Sequence, residues 1–148
     1  LRWREEFRLS ISIASPPLRE IVFFLVHESL REIGITRLMK LVFLADVEHV
    51  QQYGERLCDI DWTWYNFGPF SPGVYDAVES LGVEGIVHDL LMTDDRAITP
   101  SDVPGVTHAS TLEPRHRYSL RRVLARYGSL SLAEIEKVVD ATETMREF

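Results

Sequence analysis

The side chains best suited to chemistry near neutral pH are one cysteine, Cys58, and five histidines: His27, His49, His88, His108 and His116. Cys58 could act as a nucleophile with His49 as its base. Asp46 stands three residues before His49, so on a helix the two share a face and the carboxylate could orient the imidazole. The surroundings argue against catalysis. No segment near Cys58 has the form of an oxyanion turn, and a lone cysteine is ordinarily a small packing residue. The histidines are scattered without a metal-ligand spacing such as H-E-x-x-H, and no glycine-rich phosphate loop is present. The sequence therefore points to a non-enzymatic protein with no cofactor and no metal. His49 is expected to hydrogen-bond from the flank of a core helix, to Asp46 or to a strand carbonyl.

Charge is the next resource. The net charge is −7. Between Arg56 and Arg96 no Lys or Arg occurs, while Asp59, Asp61, Asp76, Glu79, Glu84, Asp89, Asp94 and Asp95 do. This segment either forms a solvated acidic face or meets a basic partner by charge complementarity. Duplex DNA would be repelled, since cations are needed to displace phosphate counterions. The one basic cluster is Arg115, Arg117, Arg121, Arg122 and Arg126. Arg117 and Arg121 lie one helical turn apart, as do Arg122 and Arg126. They could form a nucleic-acid or acidic-partner patch, or pair with the acidic last helix (Glu134, Glu136, Asp140, Glu143) or another subunit.

The elements that carry these groups follow from pattern and punctuation. A length of 148 residues fits one domain with a sizeable core. The longest apolar run, Ile21 to Val26, is far too short to span a bilayer. No signal-peptide pattern opens the chain, so a cytoplasmic location is expected. Residues 1–15 read as an N-terminal arm or an edge strand that pairs with a neighbour or a second copy. Residues 16–148 read as a single domain. A first helix runs from Pro16–Pro17 to about Ile33, with Gly34 as its stop and Thr36 capping a second helix; this predicts a helix-turn-helix corner. On that second helix Leu38, Leu41, Val42, Ala45 and His49 share a face, and Gly54 ends it.

Asp61 to Phe67 reads as an aromatic strand stopped by Gly68-Pro69, with Ser71 capping a third helix and Pro72 in its first turn. Alternation puts Trp62, Trp64 and Asn66 on one face of the strand and Thr63, Tyr65 and Phe67 on the other. Two strands follow, about 86–92 and 96–99, around a turn at Thr93–Asp95, then a loop over 100–113. Helices from about Pro114 to Tyr127 and from Leu132 onward complete the chain, the last with a Ser131/Glu134 capping box. The order predicts an α+β, mainly helical fold: a winged helix-turn-helix-like core with a short strand and a β-hairpin, plus two C-terminal helices.

A narrower resemblance rests on specific residues. Lys40, Leu41, Leu44, Ala45, Asp46, His49, Tyr53 and Gly54, then Gly68, Pro69, Ser71, Val74, Tyr75 and Asp76, then Tyr127, Gly128, Leu130 and Ser131 match the motifs of the Panacea domain family. That family is also known as SocA-like antitoxins or phage-associated GepA-like proteins, and the related YwgA-like proteins share part of the pattern. The resemblance spans roughly residues 18–142. The chain departs from it in its last helix, where "DATETMREF" replaces a Thr-His pair and a tryptophan. The resemblance implies a domain that binds and neutralises a toxin encoded beside it.

Both faces of the aromatic strand exceed what a small domain can bury, so one face with Phe70 is expected to be exposed as an interface patch. Trp64, Phe67, Phe70, Tyr75, Asp76 and Glu79 are the candidate protein-binding residues. The expected partner is a protein, a toxin or another basic chain, with a homodimer as a further option and no membrane. The second reading is a winged-helix DNA-binding transcription regulator.

Overall fold

The computed structural model describes residues 15–29, 32–65, 68–84, 87–91, 96–100 and 111–142. Helix α1 spans Leu18–Glu28. Strand β1, Ile33–Gly34, leads straight into α2, Ile35–Tyr53. Strands β2 (Thr63–Tyr65) and β3 (Gly68–Phe70) precede α3, Pro72–Val83. Strands β4 (Val87–Leu91) and β5 (Arg96–Pro100) are followed by α4, Pro114–Tyr127, and α5, Leu132–Asp140. The fold is α+β and mainly helical, as expected.

Helix α2 is the axis of the molecule. Its buried residues run unbroken from Leu38 to Val47, so it is wrapped on all sides, which its apolar girth dictates. Gly54 ends it in the left-handed conformation, φ 70°, where a glycine carries no Cβ penalty. Helices α1, α4 and α5 pack around it, and α3 packs on α1. The three-stranded sheet has the order β1-β5-β4, with Ile33 opposite Ile98 and both side chains in the core.

Several boundaries differ from the sequence reading. The first helix stops at Glu28, five residues early, because Ile33 and Gly34 are drawn into the sheet by β5. At Gly34, where a helix-turn-helix corner was expected, the described chain is strand β1, paired with β5 and running directly into α2. Thr36 lies inside the first turn of α2, whose N-cap is Gly34 with no side-chain cap. Helix α1 begins after Pro17 without a side-chain cap, and the Ser15 hydroxyl lies 3.4 Å from the Arg56 carbonyl oxygen. The aromatic strand is only three residues long, and Gly68-Pro69 does not stop it. Gly68–Phe70 is its antiparallel partner, with Thr63 opposite Phe70 and Tyr65 opposite Gly68. The N-terminal arm before Ser15, Phe67 and the turn at Thr93–Asp95 lie outside the described residues.

Candidate functional site

The corner between β2 and α3 holds the first candidate site. Gly68 has φ 118°, which an L side chain rarely adopts, and a Cβ there would sit 3.1 Å from the Lys40 Nζ. The positive φ favours glycine here, and a Cβ would also press on the Lys40 ammonium, which would have to shift by a few tenths of an ångström. Ser71 accepts from the Gly73 amide at 3.2 Å and caps α3, with Pro72 in the first turn. This hairpin corner turns Trp64 outward, 44% exposed, while Trp62 is buried. Alternation had placed those two on one face. Trp62 lies before the strand begins, and its indole instead donates to Asp46 Oδ2 at 3.0 Å.

Phe70 is half-buried against the Tyr75 ring, 5.8 Å between centroids. Asp76 and Glu79 are exposed on α3. Between α2 and the corner lies a cleft of about 200 Å³, walled by Met39, Phe70 and Tyr75, with Lys40 and Gly68 among its lining residues. Burial lowers the Lys40 pKa, and Glu136 and Asp140 offset part of that. Motif residues far apart in sequence, Lys40 with Gly68, Pro69 and Tyr75, are therefore brought to one cleft.

Asp46 is a structural hub. Its side chain is fully buried. Arg56 donates to it through Nε at 2.9 Å and through a terminal nitrogen at 2.6 Å. The amides of Leu57 and Cys58 donate to Oδ1 at 2.9 and 3.3 Å. One carboxylate thus ties the segment after α2 to the core, its acceptor sites filled by a guanidinium, two amides and an indole. The sequence reading missed Arg56, and the signal available was its place at the head of a segment otherwise free of cations. Cys58 is fully buried, and burial pushes its thiol pKa well above the ordinary value. A protonated, solvent-excluded thiol is not a nucleophile, so the Cys58–His49 pairing does not form a reactive couple.

His49 does not hydrogen-bond Asp46. Its Nδ1 lies 2.7 Å from the Ser119 hydroxyl and its Nε2 lies 3.1 Å from Glu55 Oε1. The His116 ring sits 5.5 Å away and the Tyr53 ring 4.8 Å away, with Tyr53 itself partly exposed. Arg115 also donates to Glu55. His116 caps α4: its Nδ1 accepts from the Glu113 amide at 3.2 Å. Burial, then Arg115, pushes the His116 pKa down to about 4; burial lowers that of His49 as well. The Arg115 hydrogen bond, and after it His49, holds Glu55 below the usual carboxylate range. Two neutral imidazoles and one carboxylate thus meet from α2, α4 and the segment between α2 and β2.

The arginines of α4 find carboxylates, but not those expected. Arg126 donates to Glu48 at 2.8 Å, Arg122 approaches the same carboxylate at 3.6 Å, and Arg121 lies 3.7 Å from Glu28. Arg117 donates to the Leu112 carbonyl. The carboxylate partners of Arg121, Arg122 and Arg126 lie on α1 and α2 rather than on α5, because α4 packs against those two helices. Among the described residues no helix is long and apolar enough to cross a membrane.

The motif cleft, the Asp46 hub and the α5 cap all fall in one stretch, and a family model covers that stretch. The model for the antitoxin SocA-like, Panacea domain matches residues 38–144. The chain belongs to this family of antitoxin-like domains. Comparison with curated proteins and with solved structures gave no match.

Proposed function

We propose that this domain is an antitoxin that neutralises a basic protein toxin in the cytoplasm by direct binding, through the corner that joins β2 and β3 to α3. One observation carries this reading: Trp64 is 44% exposed on the hairpin that feeds the acidic helix bearing Asp76 and Glu79. A large exposed aromatic with a polar rim is the composition of a protein-binding hot spot. The rim is anionic, so the complementary partner is cationic. Phe70 and Tyr75 are half-buried at the same corner and pack on each other. Phe67 belongs to the same proposed patch by sequence.

The order of α1, β1, α2, α3, β4 and β5 supports a winged-helix-like reading. Its DNA-binding use is disfavoured by charge. Asp76 and Glu79 would meet the phosphates on α3, and the arginines of α4 are engaged with carboxylates and a carbonyl.

The test is genetic and then physical. Each open frame flanking the gene is expressed alone and together with this chain. One should arrest growth alone and be rescued by the pair, with the two proteins co-purifying. Trp64→Ala, and Asp76→Lys with Glu79→Lys, should each weaken rescue and complex while leaving the melting temperature within a few degrees. Absence of a toxic flanking frame overturns the antitoxin reading. Rescue indifferent to these variants moves the interface elsewhere.

A further inference from the structure

His49 and His116 are 67 positions apart in the sequence, too far for any spacing motif to couple them. The fold brings them together with Glu55 so that one donor atom from each lies within 4.8 Å of the others. We propose that His49, Glu55 and His116 form a binding site for a divalent transition-metal ion, zinc foremost, independent of the toxin-binding reading.

Two imidazole nitrogens and one carboxylate oxygen are the donor set that suits zinc, with water completing a four-coordinate shell. Burial disfavours the charged form of both imidazoles and the Arg115 hydrogen bond favours the Glu55 carboxylate, both in the direction of the forms that bind a metal. Both histidines are buried, 0% and 2% exposed, so little side-chain freedom is left to lose. Glu55 is half-buried, so this member of the cluster reaches solvent.

Ser119 is suited to a supporting role. With zinc on the His49 Nε2, the ring proton sits on Nδ1, and the Ser119 oxygen at 2.7 Å accepts it. The hydroxyl serves the metal-free state equally well as a donor. Glu55 Oε1 receives both His49 and Arg115.

Two features limit the affinity. Tetrahedral donors at about 2.1 Å from zinc lie about 3.4 Å apart, so His49 Nε2 and Glu55 Oε1, at 3.1 Å, are already near that separation while the widest pair, within 4.8 Å, must draw in. His116 must also surrender its acceptor bond from the Glu113 amide if its other nitrogen binds the ion. One capping bond is exchanged for a coordination bond. The bound ion would clamp α2, α4 and the segment after α2 at a single point.

The experiment is a zinc titration of the tag-free, metal-stripped full chain against a chromogenic zinc indicator, with thermal melts alongside. One ion per chain with a Kd of about 1 µM or tighter is expected, together with a rise in melting temperature that grows with zinc concentration. Glu55→Gln and His116→Gln should each weaken binding at least about tenfold, and Ser119→Ala by about tenfold through the loss of ring orientation. Glu55 sits at the surface edge of the cluster, so Glu55→Gln keeps the test valid if a histidine variant does not fold. Absence of stoichiometric binding at 100 times that concentration overturns the proposal. So does binding that Glu55→Gln and His116→Gln leave unchanged, which would place the ion on other groups.

Discussion

Asp46 shows how one buried carboxylate can specify a loop. It accepts from Arg56, from two backbone amides and from the Trp62 indole, and both members of the ion pair are nearly or fully inaccessible. Breaking such a pair leaves a buried charge without its counterion. Asp46→Asn is therefore expected to cost about 3–5 kcal/mol in urea denaturation. A loss below about 1 kcal/mol would mean that the guanidinium finds water or another acceptor.

Lys40 gives a pH-dependent counterpart. Its folded pKa lies below the ordinary 10.5, so between the two values the unfolded chain binds more protons than the folded one. Stability contributed by this group therefore rises with pH through that window. Wild type should gain on Lys40→Met as pH moves from 8 towards 10.5, with both followed by denaturant unfolding. A gap that is flat or opposite in slope would show that Lys40 is not desolvated.

At the scale of elements, helix ends are fixed by different means. Ser71 and Ser131 accept from backbone amides at 3.2 Å and stand outside the helices they cap. Thr36 stands inside α2, and the helix begins where β1 delivers the chain. Ser71→Ala and Ser131→Ala should each cost about 1 kcal/mol. Thr36→Ala should cost less than half of that, because no cap is lost. Equal losses at all three sites in chemical denaturation would reject the distinction.

For the whole molecule the decisive quantity is the placement of charge. The net charge is −7, and a run without cations spans the corner and α3, while arginines of α4 are paired across α1 and α2. Gel retardation of random and own-promoter duplexes at low salt should show no binding tighter than micromolar. Retardation that disappears when Arg121 and Arg122 are changed to Glu would transfer the function to α4 and favour a regulator. A complex with a basic partner should weaken as salt rises from 0.05 to 0.5 M, since exposed charges at the rim are screened over about 10 Å at 0.1 M and less above that.

The sequence by itself determined what is local. Apolar girth made α2 the buried axis, Gly54 and Ser71 placed their helix ends, the Ser131/Glu134 box formed as expected, and α4 fell at Pro114–Tyr127. These depend on groups within one turn of each other. The motif residues also sufficed to indicate the family. Tertiary structure decided whatever needed a distant partner. Ile33 and Gly34 became a strand because β5 lies beside them. Arg56 became the counterion of Asp46, and the α4 arginines chose Glu28 and Glu48. His49 turned to Glu55 and Ser119 and came to face His116. Local pattern states which groups seek partners, but their choice depends on which helices pack together, and that is set by the burial of the whole apolar surface.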